Sequence, residues 1–589
     1  MDHQDPRAHS RGTGQAGRPG PAARSCGEHD GQDDLRAVRL VRRAGRLRDQ
    51  EVQKRVRGVH RGTTPAGAGG VSDDLITLTI DGVPVSVAKG TLVIEAAKQA
   101  GVLVPHYCYH PGLPVAGVCR MCLVEIEKQP KLAVACATQA AEGMVVNTQS
   151  AAAKSARTSV LEFLLINHPL DCPICDQAGE CELQDFTFQE GRAATRYSPE
   201  YPKRFNPVED FGPDVLYVPN RCILCTRCVR FMEDVAQEPV LNVSERGDRA
   251  YIGVHPETRL DHPWAGNVVD LCPVGSLLSK DFLHKARAWE LDKSASVCTG
   301  CSQGCNVTLD TRENVVVRVR PRPNLEVNRY FICDHGRMNY RWMNRGDRIE
   351  APLVQRGGEL HATDWQDAFE RVTTVLRGAG GRVVTLVSPR ASTEALFFAR
   401  ELFRGGALDW TGAFQVVMGE EAPLAGVPDL ALRAERAPNG RGAELLGYGR
   451  EYAAALAAAE SAAVVLVLDE PDIPVRTAGT LIYVGTVLPE RARDAHVVLP
   501  IANVAEEEGS FVNRDGRVQR YAQAKTAPGM ARPAWWVFSE LGAALGQGEP
   551  VGSAAEAFER VAQAIEPLRG LSYEQLGFGG RPAAVPAAV

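Results

Sequence analysis

No cysteine follows Cys333 in this 589-residue chain, and Cys26 alone precedes Cys108. Soft-ligand chemistry is therefore confined to one stretch. No apolar run approaches the roughly 20 residues that span a bilayer. The best candidates, Tyr452–Ala459 and Ala462–Leu468, are interrupted by Glu460 and Ser461. Any membrane link is then expected to pass through partner subunits. A strong positive charge is also missing: the formal net charge is −6, which argues against a general nucleic-acid binder. No secretory signal is evident. Many cysteines at CxxC spacing in such a chain point to metal sites in a reducing compartment and not to a disulfide frame.

What remains is an ordinary globular composition, 44% hydrophobic and 23% charged. The length exceeds one core and suggests about four domains. Residues 1–70 carry fourteen Arg and Lys against eight Asp and Glu, without hydrophobic periodicity. Transit segments are poor in acids, so this one is expected to be disordered or a mis-assigned start (residues 1–71) that gives Cys26 no role. The folded pattern starts just after Val71-Ser72-Asp73-Asp74, and the mature chain is expected to begin near Val71.

Fifteen of the sixteen cysteines lie between Cys108 and Cys333. By spacing they form four sets: Cys108, Cys119, Cys122 and Cys136; Cys172, Cys175 and Cys181; Cys222, Cys225, Cys228 and Cys272; Cys298, Cys301, Cys305 and Cys333. His168, four positions before Cys172, fills the one vacancy. Four soft or borderline ligands are the number that holds an iron–sulfur cluster or a zinc ion. A CxxCxxC run closed by Cys272-Pro273 is an iron–sulfur signature and uncommon for zinc. C-x2-C-x3-C with distant Cys333 is a [4Fe–4S] spacing. Arg221, Arg227 and Arg230 interleave the third set and are expected to be solvated or to meet a partner, with offset of cluster charge as the other reading.

The surroundings supply folds. Ile76, Leu78 and Ile80 alternate, Asp81-Gly82 is a type I′ turn signal, and Val83, Val85 and Val87 alternate back. Thr91 is expected to cap a helix over Leu92–Ala100 that Gly101 ends. Hairpin, helix and a Gly/Pro-rich cysteine loop open a β-grasp ferredoxin, which favours a [2Fe–2S] centre for the first set despite a spacing unlike the plant-type one. Cys122–Glu127 and Leu132–Thr138 read as strands. Ala156–Asn167 reads as an amphipathic helix stopped by Pro169. Arg196–Tyr217 reads as a polar connection. Asn306–Asp310 and Val315–Val319 pair as strands. Beyond Gly346, strands at Arg382–Ser388, Ala463–Leu468 and Leu481–Val484 alternate with helices such as Ser392–Arg404, where Ser392 is the cap. That rhythm predicts an α/β domain with a parallel sheet, and it carries no dinucleotide-type glycine fingerprint. The stretch after Leu571 is expected to be loose.

Together these segments resemble the large iron–sulfur subunit (75 kDa type, also called the G-type or chain 3 subunit) of the peripheral arm of respiratory complex I, the NADH–quinone oxidoreductase. The resemblance covers Asp74–Trp342 and is carried by GVCRMCLVEIE at Gly117–Glu127, HPLDCPICDQAGECELQD at His168–Asp185, NRCILCTRCVRF at Asn220–Phe231 and GNVVDLCPVGSLLSK at Gly266–Lys280. ARDAHVVLPIANVAEEEGSFVNRDGRVQR at Ala492–Arg520 resembles the molybdopterin-oxidoreductase fold. The resemblance implies a multidomain α+β and α/β chain. Its expected parts are a 2Fe-2S ferredoxin-type domain at 72–150, a 4Fe-4S segment with one histidine and three cysteine ligands at 151–190, a 4Fe-4S ferredoxin-like domain at 191–290, a 4Fe-4S domain of the Mo/W-enzyme type at 291–346, an abbreviated, degenerate molybdopterin-oxidoreductase-like domain at 347–570 and a tail at 571–589.

It further implies one [2Fe–2S] cluster on the Cys108 set and three [4Fe–4S] clusters on the others, including the set that His168 completes. Electrons would come from the NADH-oxidising FMN flavoprotein subunit and pass the Cys108, Cys222 and His168 sets towards quinone, with the Cys298 set off the main path. The implied location is peripheral, on the cytoplasmic face of the bacterial inner membrane, among other peripheral-arm subunits. No acid–base residue is required. Only 244 residues run from Gly346 to the end, fewer than the family region normally holds, so no functional molybdopterin is expected. With no cysteine there, a Cys–Mo ligand is excluded and a serine ligand is not.

Two rivals compete. An iron–sulfur subunit of an NAD-linked formate dehydrogenase or hydrogenase reuses the same front half, and a zinc-binding scaffold would have no redox role. For the amino-terminal segment the expectation is direct: mass spectrometry of the purified mature chain should find no peptide from residues 1–70, and finding them would refute a start near Val71.

Overall fold

The computed structural model describes residues 75–198, 205–403, 408–470, 477 and 479–584. Cys26, the proposed start near Val71, and Arg404 lie outside them.

The first hairpin forms as its alternation predicts. β1 (Leu75–Ile80) and β2 (Val83–Ala88) pair antiparallel up to Ile80↔Val83, and Asp81 (φ 46°) and Gly82 (φ 82°) both take the positive φ that a type I′ turn requires. With β3 (Leu123–Ile126), β4 (Ala133–Val134) and β5 (Val145–Asn147) they make a five-stranded sheet in the order β2-β1-β5-β3-β4, in which β1 and β5 run parallel. The helix Val93–Gln99 buries Val93, Ile94, Ala96 and Ala97 against Leu78, Ile80, Val124 and Val146. This is a β-grasp. Thr91 does not cap the helix, because its hydroxyl donates to Ala88 O at 2.7 Å and Leu92 occupies the cap position. Gly101 (φ 77°) follows the helix end as expected.

The next helix runs Ala151–Asn167 and so begins five residues before the expected Ala156. Ser150 Oγ accepts from Ala153 N at 3.2 Å, a cap that the featureless alanine-rich first turn conceals. Arg157 on this helix is fully buried, donating to Thr148 O at 2.9 Å and pairing with Glu190 at 3.1 Å. It thereby ties the β-grasp to the helix Glu182–Glu190.

Among residues 205–290, β6 (Glu209–Asp210), β7 (Val215–Tyr217) and β10 (Leu277–Ser279) form a small sheet in the order β10-β7-β6, while β8 (Leu241–Ser244) pairs with β9 (Tyr251–Val254). The expected polar connection thus ends in a buried strand, β7. β11 (Asp292–Val297), β12 (Asn306–Arg312) and β13 (Val315–Pro321) make an antiparallel meander, with Glu313 (φ 51°) and Asn314 (φ 64°) at the β12–β13 turn. β11 is an addition to the two expected strands.

The carboxy-terminal domain is an α/β sandwich. β14 (Leu353–Arg356), β15 (Glu359–Ala362), β16 (Gly381–Val387), β17 (Leu408–Phe414), β20 (Val464–Leu468), β21 (Thr480–Gly485) and β22 (Val497–Pro500) form one sheet in the order β15-β14-β22-β21-β20-β16-β17. The two-stranded pair β18 (Ala422–Pro423) and β19 (Ala431–Leu432) lies outside it. From β22 to β17 the strands are parallel. Both faces are covered, as continuous apolar strands demand. Val464, Leu466 and Leu468 pack with the helices Thr393–Glu401, Ala534–Ala544 and Ala554–Ala564, whereas Val465 and Val467 face the helix Tyr452–Ala459. Ser392 caps its helix as predicted, accepting from Ala395 N at 3.2 Å.

β23 (Gly509–Val512), β24 (Arg517–Tyr521) and β25 (Arg581–Pro582) add a third sheet in that order. The stretch after Leu571 is therefore not loose through residue 584. Tyr573 and Leu576 are buried, Tyr573 donates to Glu394 Oε1 at 2.8 Å, and β25 pairs with β24. Its Gly, Ala and Pro content masks two apolar anchors. Among the described residues no helix is long and apolar enough to cross a membrane.

One buried ion pair joins the segment before β14 to the loop after β22. Arg348 grips Glu506 through two bonds, 2.7 and 2.8 Å, with both side chains almost fully enclosed. Arg348→Met leaves Glu506 with Lys525 as its one cationic partner, 3.4 Å away, and with the Asn503 N–H at 3.0 Å. It should cost about 3 kcal/mol, read as a lower urea midpoint by tryptophan fluorescence. The double variant Arg348→Met, Glu506→Leu should regain most of that loss.

Candidate metal centres

Each cysteine set is delivered by a loop that the flanking elements fold tightly. In the first, Gly117 (φ 63°) and Arg120 (φ 57°) turn the loop back so that Cys119 and Cys122 approach Cys108, and Cys136 follows β4. The four thiols are linked by hydrogen bonds: Cys119 and Cys136 both serve Cys108, and Cys136 also serves Cys122. These donations hold Cys108 and Cys122 below the usual thiol range and push Cys119 and Cys136 above it. Cys108 N also lies 3.5 Å from Cys119 Sγ.

The second set sits between two helices. His168 is half-buried at the carboxy-terminal end of Ala151–Asn167, Cys172 opens a single 3-10 turn, and Cys181 is the residue that begins Glu182–Glu190. Cys172, Cys175 and Cys181 act on one another electrostatically. Burial pushes Cys181 up to about 12, against backbone N–H donors from Gln184 and Leu183. Gly275, on the loop of the third set, lies so close that an added Cβ would stand 2.1 Å from Cys175 Sγ.

In the third set, Leu224 (φ 53°) and Thr226 (φ 59°) curl the backbone around Cys222, Cys225 and Cys228. Cys272 closes the set at the end of the helix Asn267–Leu271. All four thiols feel one another. Burial pushes Cys225 up to about 12 and Cys272 up to about 11, and it raises Cys228 well above the usual thiol range. Leu277, Val274 and Ser276 offer backbone N–H groups to Cys272, Leu224 N lies 3.4 Å from Cys222 Sγ, and the Tyr217 hydroxyl donates to Cys222.

Cys298, Cys301 and Cys305 of the fourth set hang between β11 and β12, and Cys333 opens the helix Asp334–Met338. Cys298 N donates to Cys305 O at 2.8 Å, and the N–H groups of Gly300 and Gly336 lie 3.4 Å from Cys298 Sγ and Cys333 Sγ. Burial pushes Cys298 up to about 12, and Cys305 senses Cys298, Cys301 and Cys333. A Cβ on Gly336 would come within 2.9 Å of Cys298 Sγ. The carboxy-terminal domain clasps this loop: Gln519 Nε2 donates to Gly304 O at 2.6 Å and Asn513 Nδ2 to Gln303 O at 3.2 Å.

All fifteen described cysteines are free of disulfides. Among the described residues, no three His, Cys, Asp or Glu stand at the spacing of a single metal ion. The fit to a larger group rests on convergence, burial and donor supply. Buried thiols of raised pKa stay protonated at neutral pH until a cation displaces the protons. Backbone N–H groups aimed at the sulfurs are the contacts that stabilise and tune iron–sulfur clusters. The donor sets fit such clusters.

The sets are not independent. Cys108, Cys225, Tyr107, Leu183, Phe186 and Val274 share one apolar cluster, against which Cys119, Cys181 and Cys272 also pack. A second cluster contains Cys228, Cys301, Cys305 and Cys333, with Cys222, Cys272 and Cys298 at its edge. The third set belongs to both. Arg221, Arg227 and Arg230 belong to this centre and not to a solvated or partner-facing surface as expected. Arg221 and Arg227 are buried. Arg227 pairs with Glu182 at 3.1 Å and donates to Tyr109 O at 2.8 Å; Arg230 donates to Cys108 O at 2.6 Å and Cys225 O at 3.3 Å; Arg221 pairs with Asp171 at 2.9 Å. Burial raises both Cys225 and Cys175, and the positive charges of Arg227 and Arg221 oppose that rise at each in turn. Charge offset, the other reading of these arginines, is what the geometry supports. Sequence reasoning missed their partners Glu182 and Asp171, although both stand beside set residues.

The domains match known families in order. Residues 73–151 match the 2Fe-2S iron–sulfur cluster binding domain and residues 157–196 the NADH-ubiquinone oxidoreductase-G iron–sulfur binding region. Residues 212–278 match the ferredoxin-like domain of NADH-quinone oxidoreductase subunit 3. Residues 291–345 match the molybdopterin oxidoreductase Fe4S4 domain, and 476–544 molybdopterin oxidoreductase. The fold and the four sets define an iron–sulfur protein. More particularly, the chain is a homologue of the G-type and 75–78 kDa subunits of NADH-quinone oxidoreductase. It is 39% identical over 331 residues to the G-type subunit of Rickettsia conorii, covering 56% of this chain and 49% of the relative. It is 42% identical over 330 residues to the mitochondrial 78 kDa subunit of Neurospora crassa, covering 56% and 44%. The chain thus spans about half the length of the curated relatives it matches. A solved NAD+-reducing [NiFe]-hydrogenase chain is 32% identical over 36% of this chain and 90% of its own, with a TM-score of 0.33.

The close approach at Gly275 gives a test. Gly275→Ala should displace Cys175 and lower the iron content of anaerobically purified protein, while the [2Fe–2S] EPR signal of the reduced chain persists. Full iron content would show that the contact has no bearing on loading.

Proposed function

We propose that this chain is the large iron–sulfur subunit of an NADH:quinone oxidoreductase of the complex I type. In this reading Cys108, Cys119, Cys122 and Cys136 hold a [2Fe–2S] cluster. Three [4Fe–4S] clusters are held by His168, Cys172, Cys175 and Cys181; by Cys222, Cys225, Cys228 and Cys272; and by Cys298, Cys301, Cys305 and Cys333. When bound, the clusters supply outer-sphere one-electron chemistry between the FMN flavoprotein that oxidises NADH and the quinone.

The chain's own residues set distance, dryness and charge. Outer-sphere transfer weakens steeply with separation, so sets that share an apolar cluster are suited to it. The observation that carries the proposal is that Cys272 packs against both apolar clusters, which makes the third set the hub between the first two sets and the fourth. Buried Arg227 and Arg221 offset negative charge where water cannot. No proton donor or acceptor at a reacting atom is required. The domain boundaries near residues 72, 150, 190, 290 and 346 are part of this proposal. So are the partners, namely the flavoprotein and other peripheral-arm subunits, and a peripheral place on the cytoplasmic face of a bacterial inner membrane. The carboxy-terminal domain acts in this reading as a degenerate scaffold without functional molybdopterin.

The decisive measurement is iron and EPR on the anaerobically isolated full chain. About fourteen iron atoms per chain are expected from one two-iron and three four-iron clusters, with separate [2Fe–2S] and [4Fe–4S] signals on reduction. A clearly lower count, or tightly bound molybdenum with formate oxidation, would overturn the assignment in favour of a zinc scaffold or a formate dehydrogenase. For His168 the expectation is a sign. A neutral imidazole removes one negative charge from a cluster and raises its potential, so His168→Cys should lower one midpoint in an EPR-monitored titration. An unchanged midpoint would remove His168 from the ligand set.

A further inference from the structure

Tyr107 lies directly before Cys108, and no solvent reaches it. Its hydroxyl is buried and meets no hydrogen-bond partner in the protein. Such a group is costly: a buried O–H without an acceptor loses its hydration and gains nothing in return. Every other feature of the side chain is well accommodated. The ring packs edge-on against Phe186, 5.5 Å between centroids at 66°, inside the apolar cluster that contains Cys108 and Cys225.

The position of the ring tells where the hydroxyl looks. Phe186 belongs to the helix Glu182–Glu190, which begins at Cys181. After burial, the strongest influences on the Tyr107 hydroxyl are Glu182 and Cys181, ahead of Cys119 and Asp185. Three of those four stand in the first turn of that helix or at its start. No protein atom accepts from the hydroxyl, the cysteine sulfurs included, which leaves the sulfurs of a bound cluster as its acceptor. The chain offers a parallel, because the Tyr217 hydroxyl donates to Cys222 in the third set.

From the orphaned hydroxyl and its place against the Cys181 helix, we infer that Tyr107 is a positioning and tuning residue for the second set: its O–H donates to a sulfur of the cluster held beside Cys181. The inference rests on the assignment of a [4Fe–4S] cluster to His168, Cys172, Cys175 and Cys181. An O–H donated to sulfur stabilises the more negative, reduced state and so raises the potential. Tyr107 thus couples the outer wall of the first set to the potential of the second, through a residue that is no ligand of either.

The test uses the full chain purified anaerobically, with iron content and EPR-monitored midpoints of wild type, Tyr107→Phe, and protein carrying 3-fluorotyrosine at position 107. Phenylalanine keeps the ring and removes only the hydroxyl. Its expected result is unchanged iron, a lower midpoint for the second-set cluster and an unmoved midpoint for the third-set cluster. Fluorotyrosine, a stronger donor, should shift the same midpoint upward. Deuterium exchange followed by pulsed EPR should show an exchangeable proton coupled to that cluster in wild type and lose it in Tyr107→Phe. If Tyr107→Phe fails to load, the fluorotyrosine shift and the wild-type proton coupling decide. An unchanged second-set midpoint with full iron, a shift confined to the [2Fe–2S] signal, or the absence of the coupled proton overturns the inference. Wild-type protein lacking the second-set cluster would instead overturn the assignment on which it rests.

Discussion

Thiols that must become thiolates are buried here beside other thiols that must do the same, and the fold is organised around making that tolerable. Burial, with the neighbouring thiols, pushes Cys181, Cys225, Cys272 and Cys298 up to about 11 or 12. Isolated, each set resists the charge it is built to carry. Two devices oppose this. Short loops with positive φ at Gly117, Leu224 and Thr226 turn backbone N–H groups onto sulfur without adding net charge. Buried guanidinium groups, fixed by carboxylates on neighbouring segments, add positive charge that water cannot screen.

How much of this was legible varied with the range of the interaction. The hairpin at Asp81-Gly82, the cap at Ser392 and the parallel strands at Val464–Leu468 and Thr480–Gly485 are local patterns, and they stand where expected. The misreadings were tertiary. Arg227 looks like any surface cation until Glu182, 45 positions earlier, and Tyr109 O, 118 positions earlier, fold onto it. The stretch after Leu571 looks loose because nothing local marks that Tyr573 will reach Glu394, 179 positions away. Cys175 against Gly275 is likewise a contact between two separately recognisable motifs whose meeting no spacing announces.

The carboxy-terminal domain acquires a structural purpose from its contacts. Ser302 N donates to Glu435 O, Arg514 N donates to Ser302 O, and Asn513 and Gln519 hold Gln303 and Gly304. Each of these bonds ends on the loop between Cys301 and Cys305. The residues that make them stand on β24, on the turn between β23 and β24 and just after β19, and they immobilise the one set that stands off the shared Cys108–Cys225 cluster.

A chain of ion pairs then makes that set answerable to the others. Glu180, beside Cys181, pairs with Arg320 at 3.2 Å; Arg320 meets Asp270, two residues before Cys272, at 3.2 Å; Asp270 meets Arg337 at 2.6 Å, and Arg337 meets Asp334, next to Cys333, at 3.3 Å. Burial would raise Glu180, yet Arg320 and Arg318 hold it down to about 2, so it stays charged. Buried ion pairs stabilise little over well-packed apolar groups of the same size. Stability is therefore a poor reason for a series of them. Geometry is a better one: a strut of directed bonds fixes the three loops of the second, third and fourth sets against one another. Moving any one of them would leave a charge buried and unpaired, so three of the four sets are held at constant separation by electrostatics as well as by packing.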